Sequence, residues 1–248
     1  MIELNKIYNE DCIGDKGMCL IPDKSVDMIL CDLPYGTTDK CKWDIIIPFQ
    51  LLWEQYERII KDNGVIILTS QEPFTSMLIM SNKELFRYDL IWEKTKPVGF
   101  FNAKKMPLRN HENICVFYKH LPKYNPELQD CEIKVKRPDN SKVYGTSRSK
   151  NNDYIMNQTG YPRSVIKFSN VMKPQIHPTQ KPLEMFEWLI KLFTSEEDTV
   201  LDNCIGSGTT AEACIKTNRN YIGFDNGKDD KTGRWWVDIA NERIRNVK

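Results

Sequence analysis

The sequence predicts an α/β fold built on a doubly wound, mostly parallel sheet. Three observations carry that expectation. Short apolar runs alternate with amphipathic helical stretches, a pattern that favours parallel strands joined by crossover helices. A glycine turn, GSGTTA at 206–211, stands between a strand-like run and a helix-like run. The chain has 248 residues, enough for one large α/β domain or two small ones.

The elements follow in order. SVDMILCD (25–32) reads as a buried strand, and FQLLWEQYERIIKDNG (49–64) as an amphipathic helix. In that helix Leu52, Tyr56, Ile59 and Ile60 recur at helical spacing, and Asn63-Gly64 supplies a stop signal. GVIILTS (64–70) is a second buried strand. EPFTSMLIMSNK (72–83) forms a helix with Pro73 early, where its missing N–H costs little. YDLIWEK and ENICVFYK are two further strands. After an irregular stretch, Pro182 opens a helix with an apolar face of Leu183, Phe186, Leu189, Ile190 and Phe193. TVLD (199–202), TAEACIKT (210–217) and YIGFD (221–225) then read as strand, helix and strand.

The pattern fails between about Lys119 and Lys167, where Pro, Asn, Ser, Gly, Lys and Tyr dominate without a period. The expected organisation is a body of residues 1–118 and 168–248 carrying an inserted, loop-rich segment, 119–167. Charge marks the same region. From Lys94 to Asn170 there are 15 Lys and Arg against 6 Asp and Glu, a net of +9, although the whole chain carries only +1. Either this is a solvated lysine-rich insertion, or it is a surface for a polyanion such as nucleic acid. Tyrosines 124, 144, 154 and 161, interleaved with Lys and Arg, suit backbone contacts plus base stacking.

With 40% hydrophobic and 28% charged residues the composition is that of a globular protein. No apolar run has the length of a membrane span, and the polar N-terminus MIELNKIYNEDC is unlike a signal peptide. A cytoplasmic protein, with no membrane partner, is the expectation. The eight cysteines include no C-x-x-C pair, and the three histidines do not cluster with them. They are expected to be reduced and mostly packed, with no metal site.

Two stretches carry chemistry. In the first, DLPYG, a carboxylate and an aromatic ring follow directly on a strand. In isolation an ordinary turn is the favoured reading, and only the company of the second stretch reverses it. In the second, VLDNCIGSGTT, glycines let the backbone bend and approach a ligand at a helix N-terminus. Asp225 ends the next strand, 23 residues after Asp202, where an acid can accept hydrogen bonds from ribose hydroxyls. The unit points to a nucleoside-bearing cofactor. The loop alone does not separate a dinucleotide from other nucleosides, but hydride transfer leaves DLPYG and the basic segment without a purpose.

With DLPY, the loop VLDNCIGSGTT, the acid of YIGFD and the element HPTQKP in view, the chain resembles the DNA amino-methyltransferases that use S-adenosylmethionine. The order of catalytic tetrad, basic insertion and cofactor loop resembles the permuted β group of that family. The resemblance implies the class I, Rossmann-like methyltransferase fold, a target-recognition role for the insertion, and double-stranded DNA as partner. It implies a catalytic set of Asp32, Leu33 (through its carbonyl), Pro34 and Tyr35, the last stacking on a base extruded from the duplex. It also implies cofactor contacts from Asp11, Cys12, Asp32, Thr179, Lys181, Asp202, Cys204, Gly206, Ser207, Gly208, Thr209, Thr210 and Asp225. Asp11 reads equally as a surface acid opening a helix, and His177 as orienting its turn or touching ligand.

Two residues depart from the family pattern. Leu33 replaces the first proline of the tetrad, which leaves the carbonyl in place, and Asn203-Cys204 replace a frequent Pro-Phe pair. The Asp-initial tetrad favours adenine N6 as target, with cytosine N4 as the alternative. RNA methylation or non-catalytic nucleic-acid binding are further rivals. Cytosine-C5 chemistry is disfavoured because no Pro-Cys pair occurs. Relatives of the β group are often homodimers. No residue indicates whether a restriction endonuclease accompanies the chain.

Overall fold

The computed structural model describes residues 2–36, 44–136, 154–171, 176–177, 179–245 and 247. Its centre is an eight-stranded sheet. In chain order the strands are β1 (Lys6–Tyr8), β2 (Val26–Asp32), β3 (Ile60–Ser70), β4 (Phe86–Val98), β5 (Arg109–Phe117), β8 (Val165–Phe168), β9 (Thr199–Asp202) and β10 (Asn220–Phe224). Strands β6 (Gln129–Lys136) and β7 (Tyr154–Thr159) pair antiparallel in a separate two-stranded sheet. The spatial order of the large sheet is β1-β10-β9-β2-β3-β5-β4-β8. Only β5 runs against its neighbours, so the mostly parallel sheet expected from the sequence is present.

Among the described residues, five α-helices cover the two faces: α1 (Phe49–Ile59), α2 (Phe74–Ser81), α3 (Leu183–Phe193), α4 (Thr209–Lys216) and α5 (Trp236–Arg245). Alternate residues of the central strands separate the two cores. Met28, Leu30, Val65 and Ile67 pack with α3, α4 and α5. Ile29, Cys31, Ile66 and Leu68 pack with α1 and α2. Burial on both faces explains why these strands read as continuous apolar runs rather than as alternating ones.

Three expectations need correction. Helix α1 ends at Ile59, where the Ile60 N–H reaches the Tyr56 carbonyl, and the chain enters β3 at once. Asn63-Gly64 therefore lie inside a strand, beside the register shift between β2 and β3. A Cβ on Gly64 would come within 2.9 Å of the Asp27 carbonyl oxygen. The glycine serves a close approach of two strands, not a helix stop. Second, the stretch expected to be loop-rich contains regular structure: the β6–β7 pair, and β8, which joins the large sheet alongside β4. The compact unit there runs from Pro126 to Arg163, inside the expected 119–167. Asn125 belongs to the body because its backbone and side-chain N–H groups bond the end of α3. Third, Tyr124 packs against Phe193, ring centroids 5.9 Å apart, and so belongs to the body. Tyr144 lies outside the described residues, while Tyr161 is exposed.

Candidate active site

The crossovers set where the site lies. From β9 the chain passes through α4 to β10, away from the centre, and from β2 it passes through α1 to β3 in the opposite direction. Strands β9 and β2 are neighbours, so the crevice beyond their carboxyl ends is a topological switch point, where ligands of open α/β sheets bind. Asp202 ends one strand and Asp32 the other. A cavity of about 970 Å³ opens there, lined by both motifs.

Asp32 is heavily engaged within this cavity. Its Oδ1 accepts hydrogen bonds from the Tyr35 hydroxyl at 2.6 Å and from the Thr69 hydroxyl. Its Oδ2 accepts one from Lys181 Nζ at 2.6 Å. Lys181 in turn lies 3.4 Å from Glu112 Oε2, without hydrogen-bond geometry, and Lys94 bonds the other oxygen of Glu112. Burial opposes the charge on Lys181, but Asp32 and Glu112 outweigh it and hold its pKa above the ordinary lysine value. The result is a chain of alternating charges, Asp32, Lys181, Glu112 and Lys94, that ends on the catalytic candidate. Burial, aided by Asp32, pushes the Tyr35 phenol well above its usual range, so it donates as a neutral group. Its ring stacks on Phe74 with centroids 5.2 Å apart. The Leu33 side chain is buried in the core beneath α1 and α2, and the residue also borders the cavity.

The glycine loop is shaped by its own strand and by α5. Asp202 Oδ1 accepts the Cys204 N–H at 3.0 Å, and Oδ2 accepts the Thr210 hydroxyl. Burial pushes the Asp202 carboxyl up to about 7. Asp225 receives the Gly206 N–H at 2.9 Å and the Gly227 N–H at 2.8 Å, and burial raises its pKa too. Gly208 has φ +81°, and a Cβ there would meet the Ala240 Cβ at 2.9 Å, so α5 sits directly against the turn. From α5, Arg243 reaches Ser207, Thr209 and Glu212.

The other expected residues converge on the same cavity. Asp11, Cys12, Thr179, Cys204, Gly206, Ser207, Thr209 and Thr210 line it. Gly208 does not line it and serves the turn. Asp11 follows β1 and accepts the Ile13 N–H, opening a tight turn rather than a long helix. His177 is engaged by Thr179, whose N–H and hydroxyl lie 3.3 and 3.0 Å from Nδ1, and it packs edge-on against Trp236. Burial depresses its pKa to about 4, so it is neutral at pH 7. Among the described residues no group of acids, cysteines and histidines is arranged to hold a metal.

Sequence reasoning missed several members. Thr69, Lys94 and Glu112 lie on β3, β4 and β5, and nothing local marks them. The Tyr56 hydroxyl bonds Asn203 Oδ1 across a buried interface between α1 and the loop. That bond gives Asn203, one of the two departures, a role of its own. Trp236 was legible only as part of a helix: with Ala240 and Ile244 it recurs every fourth residue.

The residues fit a nucleoside-bearing cofactor such as S-adenosylmethionine. The cavity holds a half-buried carboxylate at Asp225 and loop backbone at Gly206 and Ser207. It also holds the buried Trp236 Nε1–H, which has no hydrogen-bond partner among the described residues. An unsatisfied buried donor is costly, and a ligand oxygen would satisfy it.

Comparison with known proteins agrees. A family model described as DNA methylase matches residues 26–232. The chain is 30% identical to the type II methyltransferase M.HpaI of Haemophilus parainfluenzae, covering 92% of this chain and 71% of that protein. It is 27% identical to M1.MboII of Moraxella bovis, covering 91% and 93%. The fold matches that of the M1.HpyAVI–SAM complex with a TM-score of 0.61 at 23% identity, covering 96% and 98% of the two chains. It matches the cytosine-N4-specific PvuII DNA methyltransferase with 0.63 at 15% identity, covering 98% and 93%. The chain belongs to the DNA methylase family of S-adenosylmethionine-dependent N6/N4 amino-methyltransferases.

Proposed function

We propose that this chain methylates the exocyclic N6 of adenine in double-stranded DNA, acting on a base turned out of the helix. The observation that carries the reading is the Asp32 carboxylate, held at the strand end inside the cavity by Lys181, Tyr35 and Thr69. An exocyclic amine is a weak nucleophile because its lone pair is delocalised into the ring. Asp32 and the Leu33 carbonyl each accept one amine hydrogen, which draws the nitrogen towards tetrahedral geometry and frees the lone pair. When bound, S-adenosylmethionine supplies a methyl group already activated on its sulfonium. The protein therefore contributes position and electrostatics.

The remaining roles follow from the same arrangement. Lys181 fixes the Asp32 carboxylate through Oδ2, and when the alkylated nitrogen sheds its surplus proton the carboxylate takes it. Pro34 restricts the backbone between the two acceptors and Tyr35. Tyr35 offers its ring to the extruded base. Asp225 receives the ribose hydroxyls. Gly206, Ser207, Thr209 and Thr210 line the cofactor's path with Asp11, Cys12, Thr179 and Cys204. Tetrad before cofactor loop supports assignment to the β group, and the basic segment from Lys94 to Asn170, which spans the insertion, supports a target-recognition role for it.

The Asp-initial tetrad supports adenine over cytosine. The test is methyl transfer from tritiated S-adenosylmethionine to mixed-sequence duplex DNA, followed by nucleoside analysis. Label in N6-methyladenine is expected. N4-methylcytosine would overturn the choice of base, and label absent from DNA would overturn the reading itself.

A further inference from the structure

The mechanism leaves one conspicuous surface unused. Residues 95–107, from the last residues of β4 through most of the loop to β5, are all exposed. Phe100 is 69% exposed and Phe101 is fully so. The tip is not slack: Phe100–Asn102 form a single 3-10 turn. Within it, Asn102 N–H donates to Gly99 O at 2.9 Å, and Lys105 N–H donates to Asn102 O at 2.8 Å. The base of the loop is tied down as well. Asn170 Oδ1 accepts the Lys96 N–H at 3.0 Å and faces the Thr95 hydroxyl at 3.2 Å, while its Nδ2 donates to the Lys96 carbonyl. A tethered loop thus holds two phenylalanine rings in water, with no core residue requiring them there.

Its position and charge name the occupant. Strand β4 runs in the same sense as β2, because β2 is parallel to β3 and the two antiparallel steps from β3 through β5 to β4 cancel in direction. The loop therefore leaves the sheet at the edge that carries Asp32, and Val98 and Asn170 at its base line the cavity. Lys96, Lys104, Lys105 and Arg109 flank the rings, and no acidic residue occurs between Thr95 and His111. None of the four basic side chains is in an ion pair with a described residue. Apolar rings framed by unpaired cations beside a DNA-modifying cavity match a duplex, which offers a stack to enter and phosphates on both sides.

We propose that Phe100 and Phe101 form a wedge that enters the base stack at the target and fills the space left by the extruded base. Lys96, Lys104, Lys105 and Arg109 hold the flanking phosphates. The proposal rests on the reading that the methylated base leaves the duplex. Extrusion sacrifices pairing and stacking, and an inserted aromatic ring restores part of the stacking.

The test compares Phe101→Ala and the double variant F100A/F101A with the wild type on two duplexes of the sequence it methylates. In one the target base is paired; in the other it faces an abasic site, so extrusion is already cheap. The variants should lose about tenfold or more in methyl transfer on the paired duplex and recover to near wild type on the abasic one. A 2-aminopurine probe at the target should brighten less with the variants than with wild type. Equal activity on both duplexes, equal loss on both, or a loss of S-adenosylmethionine affinity would each overturn the wedge. A wild type that methylates no DNA would instead overturn the base-methylation reading.

Discussion

Asp32 and Asp202 are the same residue type at the same topological position, the last residue of neighbouring parallel strands. Their surroundings give them opposite tasks. Asp202 is buried and accepts only neutral donors, the Cys204 N–H and the Thr210 hydroxyl, and its pKa climbs to about 7. It fastens the loop that follows it. Asp32 meets the ammonium of Lys181, so the cost of desolvating its charge is offset by an opposite charge at hydrogen-bond distance. It lines the cavity with that cation beside it. On the proposed reading, a carboxylate becomes a brace or a reagent according to whether a cation has been placed beside it.

Removing the reagent should have the largest effect. Asp32→Ala is expected to lower methyl transfer by at least about 10³-fold, the scale on which preorganised electrostatic groups act, with S-adenosylmethionine affinity little changed in calorimetry. Loss of both would make Asp32 a brace like Asp202 and erase the contrast. The second variant attacks the cation. Lys181→Met leaves Asp32 and Glu112 as close carboxylates with one lysine fewer. Breaking a buried pair costs about 3–5 kcal/mol, so denaturant unfolding should show a clear loss of stability. Activity should fall as well, because the Asp32 carboxylate loses the cation that orients it. The double variant K181M/E112Q removes one of the stranded charges and should recover stability without recovering the activity at neutral pH. If it recovers both, Lys181 matters only for folding.

The same contrast explains what could be read from the sequence. Asp202 and its loop were legible because the partners are local: Cys204 and Thr210 lie within eight residues, and strand, turn and helix follow in one continuous pattern. Strands β2, β3, β9 and β10 and helices α3 and α4 were legible for the same reason. Asp32 could be seen as a strand-end acid, but the cation that defines it lies 149 residues away. Glu112, Lys94 and Thr69 come from three other strands, and no spacing announces them. Tyr56 and Asn203 meet across 147 residues. Short elements failed for a different reason. Strand β1 has three residues and β8 four, too few to establish a period of two. Helix α5 follows a polar stretch rich in Lys and Asp, and its apolar stripe is narrow. The misplaced stop of α1 shows a local signal losing to a tertiary one, since Gly64 answers to the Asp27 carbonyl of a neighbouring strand.

The mildest prediction sharpens the contrast through pH. The Asp202 carboxyl, raised by burial to about 7, ordinarily titrates near 3.9 in an unfolded chain. The folded state therefore binds the extra proton between those values. Its contribution to stability is present below about 4 and is lost as pH rises through 7. A cationic cofactor in the cavity that Asp202 lines favours the ionised carboxylate, so S-adenosylmethionine affinity should rise several-fold from pH 6 to pH 8. His177, with a pKa near 4, is silent in that window. Asp202→Asn can keep the loop: its Oδ1 accepts the Cys204 N–H while its Nδ2 donates to the Thr210 hydroxyl. Titration calorimetry at several pH values should show a flat profile for the variant against a slope for the wild type. Parallel slopes would move the titrating group to Asp225, whose carboxyl is also raised by burial and lines the same cavity. In that outcome no titration would set the two strand-end aspartates apart. What distinguishes them would then be the partner each one faces, not its state of ionisation.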